Sequence, residues 1–162
     1  HVVCRRQRQM CIRDSVCIGA DVIVGFPNET EEEFEKTFKL IKNLRLSYLH
    51  VFSFSERENT LANDMKGKID KFIISKRSKR LRILSEKLKY SYYRKFSNSK
   101  KEIIVEDKNK NGYQYGFTDN YLKVRIPSSK EFTNKKIKVQ LGEIKEDCIF
   151  EGKPILEDVS KY

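Results

Sequence analysis

The sequence predicts an α/β segment followed by an all-β segment, and three observations carry that reading. Apolar residues recur at helical spacing up to about Phe96 and at every second position beyond it. Between residues 16 and 54 an apolar run, a capped amphipathic helix and a second apolar run follow one another, the order of a βαβ unit in a parallel sheet. Residues 97–162 then hold short alternating stretches separated by polar turns, the pattern of a small antiparallel barrel.

Val16 to Val24, VCIGADVIV, is closed by Gly25 and Pro27 and reads as a buried strand of parallel type. Thr30-Glu31-Glu32-Glu33 has the form of a capping box, with Thr30 as N-cap and Glu33 reaching back to it. The acidic first turn suits the positive end of the helix dipole. Phe34, Phe38, Ile41 and Leu44 extend this helix over about 30–44. Ser47 to Phe54, SYLHVFSF, is the second strand. Asp70 stands where it would cap a long helix running to about Phe96. Leu81, Leu84, Leu88, Tyr92 and Phe96 form its apolar stripe, and Lys76, Arg77, Lys79, Arg80, Arg82, Lys87 and Lys89 load the opposite face.

After SNSKK the period becomes two. Ile103 and Val105 alternate with Glu102, Ile104 and Glu106, and Tyr113, Tyr115 and Phe117 with Gly112, Gln114 and Gly116. Beyond a Thr118-Asp119-Asn120 turn, Leu122, Val124 and Ile126 alternate with Tyr121, Lys123 and Arg125. Ile137, Val139 and Leu141 alternate with Lys136, Lys138 and Gln140, and Ile144 to Phe150 is read as a fifth strand. The expected division is therefore 16–96 and 97–162, with a boundary near Ser97 to Lys100.

Composition narrows the function classes. A net charge of +11, with 38% hydrophobic and 35% charged residues, points to a polyanionic partner, of which nucleic acid is the usual one. No apolar run is long enough to span a bilayer, and no secretory h-region is visible. Four cysteines in an undivided basic chain fit a reducing compartment, so a cytoplasmic location is expected.

Arg5 to Ser15, RRQRQMCIRDS, is unlike the rest. The codon string CGT CGG CAG CGT CAG ATG TGT ATA AGA GAC encodes Arg5 to Asp14 without a gap and resembles a transposase-type sequencing-library adapter. Residues 1–15 are expected to be such a translated adapter, outside any fold argument; the rival is a basic RNA-binding arm. Without them the chain holds 30 basic and 22 acidic residues, a net of +8, and its cysteines are Cys17 and Cys148. Two distant cysteines suit small buried hydrophobes better than ligands. On this reading the chain is the tail of a longer protein.

DVIVGFPNETEEEF, SYLHVFSFSERENTLA, RSKRLRILSEKL and GFTDNYLKVRI, in this order and spacing, together resemble the C-terminal part of the radical S-adenosylmethionine methylthiotransferases, nearest the type acting on threonylcarbamoyladenosine in tRNA. The resemblance covers about residues 16–155. It implies that 16–96 is a partial (β/α) barrel and 97–162 a TRAM domain, a small OB-like RNA-binding β-barrel. It also implies S-adenosylmethionine and two [4Fe–4S] clusters in the parent enzyme, and tRNA rather than DNA or a membrane as partner. The chain has no Cys-x-x-x-Cys-x-x-Cys, so on its own it is expected to be inactive. A sister enzyme acting on a ribosomal protein and a non-catalytic RNA-binding protein are the alternatives.

The resemblance places Ile23 and Gly25, the latter opening GFPNET, at a strand end against S-adenosylmethionine, glycine allowing close backbone approach. Asn28 and Asn59 stand where the family usually has glycine and are expected at positive φ. Arg57 matches a family arginine; it is read either as a bidentate partner for phosphate or carboxylate or as a solvated loop residue. His50 lies mid-strand, and with no second histidine beyond the terminal one it does not suggest zinc. The basic face of the long helix reads best as a solvated outer surface. Tyr121, Lys123 and Arg125 on one strand, and Lys136 and Lys138 on another, are the expected RNA contacts, combining backbone neutralisation with base stacking.

Overall fold

The computed structural model describes residues 15–155; most of the adapter-like stretch, residues 1–14, lies outside them, as do 156–162. The described chain falls into two compact units, 18–91 and 15–17 together with 92–155.

In the first unit, β1 (Gly19–Val24) and β2 (Tyr48–Ser53) pair in parallel, Gly19 opposite Tyr48 through Val24 opposite Ser53. The connection between them is α1 (Glu31–Asn43), which begins as its sequence requires. The Thr30 hydroxyl accepts the Glu33 N–H at 3.2 Å, and the Glu33 carboxylate accepts the Thr30 N–H at 2.8 Å. These bonds hold the Glu33 carboxyl below its ordinary range, so its share of the cap is present above the usual glutamate pKa and lost as pH falls through the lowered one. Thr30→Ala should cost about 1 kcal/mol of stability, read as a shift in the denaturation midpoint.

A short helix, α2 (Leu61–Asp64), precedes α3 (Lys71–Arg94). Asp70 caps α3, its Oδ1 accepting the Phe72 N–H at 2.7 Å. Phe34, Phe38 and Ile41 of α1 and Leu81, Leu84 and Leu88 of α3 pack with Ala20, Val22, Val24, Leu49 and Val51 on one face of the sheet. Because side chains alternate along a strand, the other face carries Asp21, Ile23, Tyr48, His50 and Phe52, with Ile23 and Phe52 more than half exposed. The expected strand buried on both faces is thus buried on one.

The basic face of α3 is also less uniform than its composition suggests. Arg77 is buried and donates from Nη1 to Glu29 at 2.8 Å and from Nη2 to Glu31 at 2.9 Å. The reason is the position of Glu29, just before the helix, and Glu31 in the first turn of α1, which together offer carboxylates to this turn of α3. The apolar stripe is likewise divided: Leu81, Leu84 and Leu88 serve the first core, Tyr92 and Phe96 the second.

The second unit is a closed five-stranded barrel in the order β3-β4-β5-β7-β6: β3 (Lys100–Lys110), β4 (Tyr113–Thr118), β5 (Lys123–Pro127), β6 (Lys136–Lys145) and β7 (Ile149–Pro154). All pairs are antiparallel except β5 with β7, which are parallel and joined through Val124–Phe150 and Arg125–Glu151. Ile103, Val105, Leu122, Val124, Ile126, Val139, Leu141 and Phe150 fill the interior with Tyr92 and Tyr93 from the last turn of α3. Gly116 is required where it stands, since a Cβ there would lie 2.6 Å from the Ile104 carbonyl oxygen.

One strand differs from the expected pattern, and another has an orientation that alternation left open. Ile144 to Phe150 is not one strand: β6 ends at Lys145, a tight turn follows with Asp147 and Cys148 at φ 61° and 52°, and β7 begins at Ile149. On β4 the buried residues are Gln114, Gly116 and Thr118, so Tyr113, Tyr115 and Phe117 face outward. Alternation defines two faces, and small side chains rather than rings meet the crowded interior. Among the described residues, no helix is long and apolar enough to cross a membrane.

Candidate nucleic-acid interface

The barrel's outer face carries a groove with a volume of about 1140 Å³. Register builds its floor. Lys136 lies opposite Ile104, Ile104 opposite Phe117, and Phe117 opposite Lys123, so one transverse row across β6, β3, β4 and β5 reads lysine, isoleucine, phenylalanine, lysine. Ile104 is 64% exposed and Phe117 37%, an apolar floor left open to solvent. Lys100, Lys101 and Lys138 line the same groove, and Tyr121, 73% exposed, stands at its edge. Three acids, Glu102, Glu106 and Asp119, are also present. Lys136 lies 2.7 Å from Glu102 and holds that carboxyl below its ordinary range, so this pair is locally neutral.

Of the RNA contacts expected from the sequence, the groove brings together Tyr121, Lys136 and Lys138. Lys123 and Arg125 lie further round the barrel. The Lys123 ammonium sits 5.1 Å from the Tyr115 ring centre, and the Arg125 guanidinium 4.7 Å from that of Tyr113. Arg125 also donates to Glu151 at 3.2 Å, while its Nε is buried without a hydrogen-bond partner. Phe117 and Ile104 were not among the expected contacts. Their signal was present: Ile103-Ile104-Val105 is apolar at three consecutive positions, whereas a half-buried strand needs only alternate ones.

The strand-end residues of the first unit occupy two grooves. Ile23 shares one of about 430 Å³ with Phe52, Phe54 and the exposed Arg57. Gly25 lines another of about 410 Å³ with Pro27, Glu56 and Lys68, the last two joined at 2.9 Å. Gly25 is itself buried at φ 83°, its N–H donates to Glu29 at 2.8 Å, and a Cβ would lie 2.5 Å from Ile74. The space a Cβ would fill at this position is taken by the Ile74 side chain. Asn28 and Asn59 adopt φ 67° and 61°, as expected. His50 is exposed beside Tyr48.

An iron–sulfur cluster needs several convergent thiolates. The described cysteines, Cys17 and Cys148, are half-buried and pack against the barrel core. No group of three or more His, Cys, Asp or Glu side chains converges among the described residues, so the residues present do not fit such a cluster.

No family model matches the chain. Comparison with curated proteins does find relatives. The threonylcarbamoyladenosine tRNA methylthiotransferase MtaB of Bacillus subtilis is 38% identical over 130 residues, 78% of this chain and 29% of the relative. MtaB of Rickettsia prowazekii is 38% identical over 120 residues, 74% and 27% of the two chains. The tRNA-2-methylthio-N(6)-dimethylallyladenosine synthase of Thermosipho melanesiensis is 34% identical over 125 residues, 76% and 29%. Over about three quarters of its length the chain is homologous to the tRNA methylthiotransferases, whose own length it spans to about three tenths.

Proposed function

We propose that this chain is the tRNA-holding part of a tRNA methylthiotransferase, acting in the cytoplasm on threonylcarbamoyladenosine beside the anticodon. The unit 18–91 would be a closing βα portion of a radical S-adenosylmethionine barrel, and the five-stranded barrel a TRAM-type RNA-binding domain. The observation that carries the reading is the groove, whose open apolar floor is rimmed by Lys100, Lys101, Lys136 and Lys138. Exposed rings and lysines interleaved on a small barrel suit nucleic acid, because cations neutralise phosphates while ring faces stack bases. The unit supplies that field: residues 92–155 hold fourteen basic and nine acidic side chains. The relatives, named for tRNA methylthiotransfer, support tRNA as the polyanion.

S-adenosylmethionine would lie at the Ile23 strand end, with Phe52 and Phe54 offering apolar walls and Arg57 a partner for its carboxylate. Bound there, it supplies the radical chemistry. The iron–sulfur clusters that start that chemistry would be held elsewhere in the parent enzyme.

The test is binding of the chain to unmodified tRNA across a salt series. Neutralising about four phosphates gives a slope of log K against log salt near −3. Lys138→Gln should flatten it by about 0.7–0.9, and Lys136→Gln by less, because Lys136 is paired with Glu102. A flat salt dependence, or no binding at low salt, would refute the reading.

A further inference from the structure

We infer that Tyr121 is a strained post on which one unpaired nucleobase of single-stranded RNA stacks, the lysine-rimmed groove taking the flanking backbone. The inference rests on the RNA-binding reading above and adds the kind of RNA and the device that selects it.

Its backbone carries the first argument. Tyr121 has φ 61°, a region that bulky L residues rarely enter. Elsewhere among the described residues small side chains meet this demand: Asn28, Asn59, Asn98, Asn111, Asn134, Asp147 and Cys148 stand at positive φ, and Tyr121 is the one large ring among them. Turn geometry alone would favour asparagine at 121 as well. The ring does not offset the strain by packing, since Tyr121 is 73% exposed. The cost of holding a large ring in this conformation therefore has no return within the fold.

The second argument is that the turn is held on several sides. Thr118 accepts the Leu122 N–H on its hydroxyl at 2.9 Å and the Tyr121 N–H on its carbonyl at 3.1 Å. The buried Tyr92 hydroxyl donates to the Asn120 carbonyl at 3.1 Å. The Tyr93 hydroxyl donates to the Tyr121 carbonyl at 3.4 Å and accepts the Lys123 N–H at 2.9 Å. Such a frame keeps an unfavourable conformation in place, and this is how strain persists at working sites.

The third argument is the setting. Tyr121 shares its groove with Phe117, Ile104 and four lysines of β3 and β6, so a ring stacked on Tyr121 would share the groove with an apolar floor and a cluster of cations. In a duplex both faces of each base are covered by its neighbours, so only an unpaired base offers a face to stack on. Stacking is tolerant of base identity, so the post selects single-strandedness and not sequence.

The 162-residue chain is titrated with a labelled single-stranded oligouridylate, the matching RNA duplex and an oligoglutamate peptide, alongside thermal melting. Tyr121→Ala and Tyr121→Asn should weaken oligouridylate binding by about 5- to 150-fold, the loss of one stacked base, while Tyr121→Phe stays within about two-fold. Duplex binding should be little changed by any of them. Tyr121→Asn should melt at or above the parent, since asparagine tolerates this φ, whereas Tyr121→Ala retains the strain and should gain nothing. Unchanged oligouridylate binding in both variants, while the parent binds, would overturn the post alone. An Asn variant melting several degrees lower would overturn the strain. Failure of the parent to bind any RNA would overturn the RNA-binding reading as well. Equal binding of oligoglutamate would replace RNA by an acidic protein segment.

Discussion

Arg77→Met should destabilise residues 18–91 by roughly 3–5 kcal/mol, the cost of removing one partner from a buried ion pair. Arg77 spans three chemistries at once. It donates to the Glu29 carboxylate and carbonyl at 2.8 and 3.0 Å, to Glu31 through Nε and Nη2, and its guanidinium lies 5.3 Å from the Phe34 ring centre. Glu29 in turn accepts the Gly25 N–H, so loss of the arginine leaves a half-buried carboxylate on the loop that ends β1. Adding Glu29→Gln to Arg77→Met should recover part of the loss by removing the stranded charge. Arg80, 35% exposed and bridged to Glu35, is the control, and its replacement should cost far less because solvent screens the pair. Equal midpoints for the two arginine variants in urea denaturation would show that burial of Arg77 does not decide its role.

Phe150→Ala should cost about 3–5 kcal/mol of barrel stability. Phe150 is fully buried and stacks on Tyr93 at 5.4 Å and 13°, where it joins β7 to the tyrosine pair ending α3. It also faces Val124 across the short parallel seam between β5 and β7. The cavity therefore opens where few ladder bonds close the barrel. Phe150→Leu should cost distinctly less, because most of the volume is retained. Circular dichroism melting of both variants reads the difference; indistinguishable midpoints would exclude the cavity as the cause.

Where local chemistry decides structure, the sequence was readable. Thr30 with Glu33, and Asp70 before Lys71, announce their helices because a cap is satisfied within one turn. Asn28 and Asn59 announce positive φ because few residues tolerate it. The β5 and β6 cores were legible because their alternate residues are apolar on one side and charged on the other. Features that depend on distant partners were not. Arg77 lies in a basic run, and nothing local separates it from Lys76 or Lys79; its burial comes from Glu29 and Glu31. Alternation on β4 could not say which side faces in, since both tyrosines and Gly116 fit a strand. The turn after Lys145 was hidden because Asp147 and Cys148 carry no glycine signal. In the candidate interface, Tyr121, Lys136 and Lys138 were visible as types, but the row joining Lys136, Ile104 and Phe117 exists only through register.

The orientation of β4 gives its two faces different tolerance to substitution. Its inward positions are occupied by glutamine, glycine and threonine, and Gly116 admits no replacement without pushing on the Ile104 carbonyl. Of its outward rings, Tyr113 and Tyr115 are half-buried under Arg125 and Lys123 of β5, and Phe117 is exposed. If this outward face is the one that reads RNA, as proposed above, substitutions at Tyr113, Tyr115 and Phe117 would alter what it contacts while the inward glutamine, glycine and threonine keep the packing beneath.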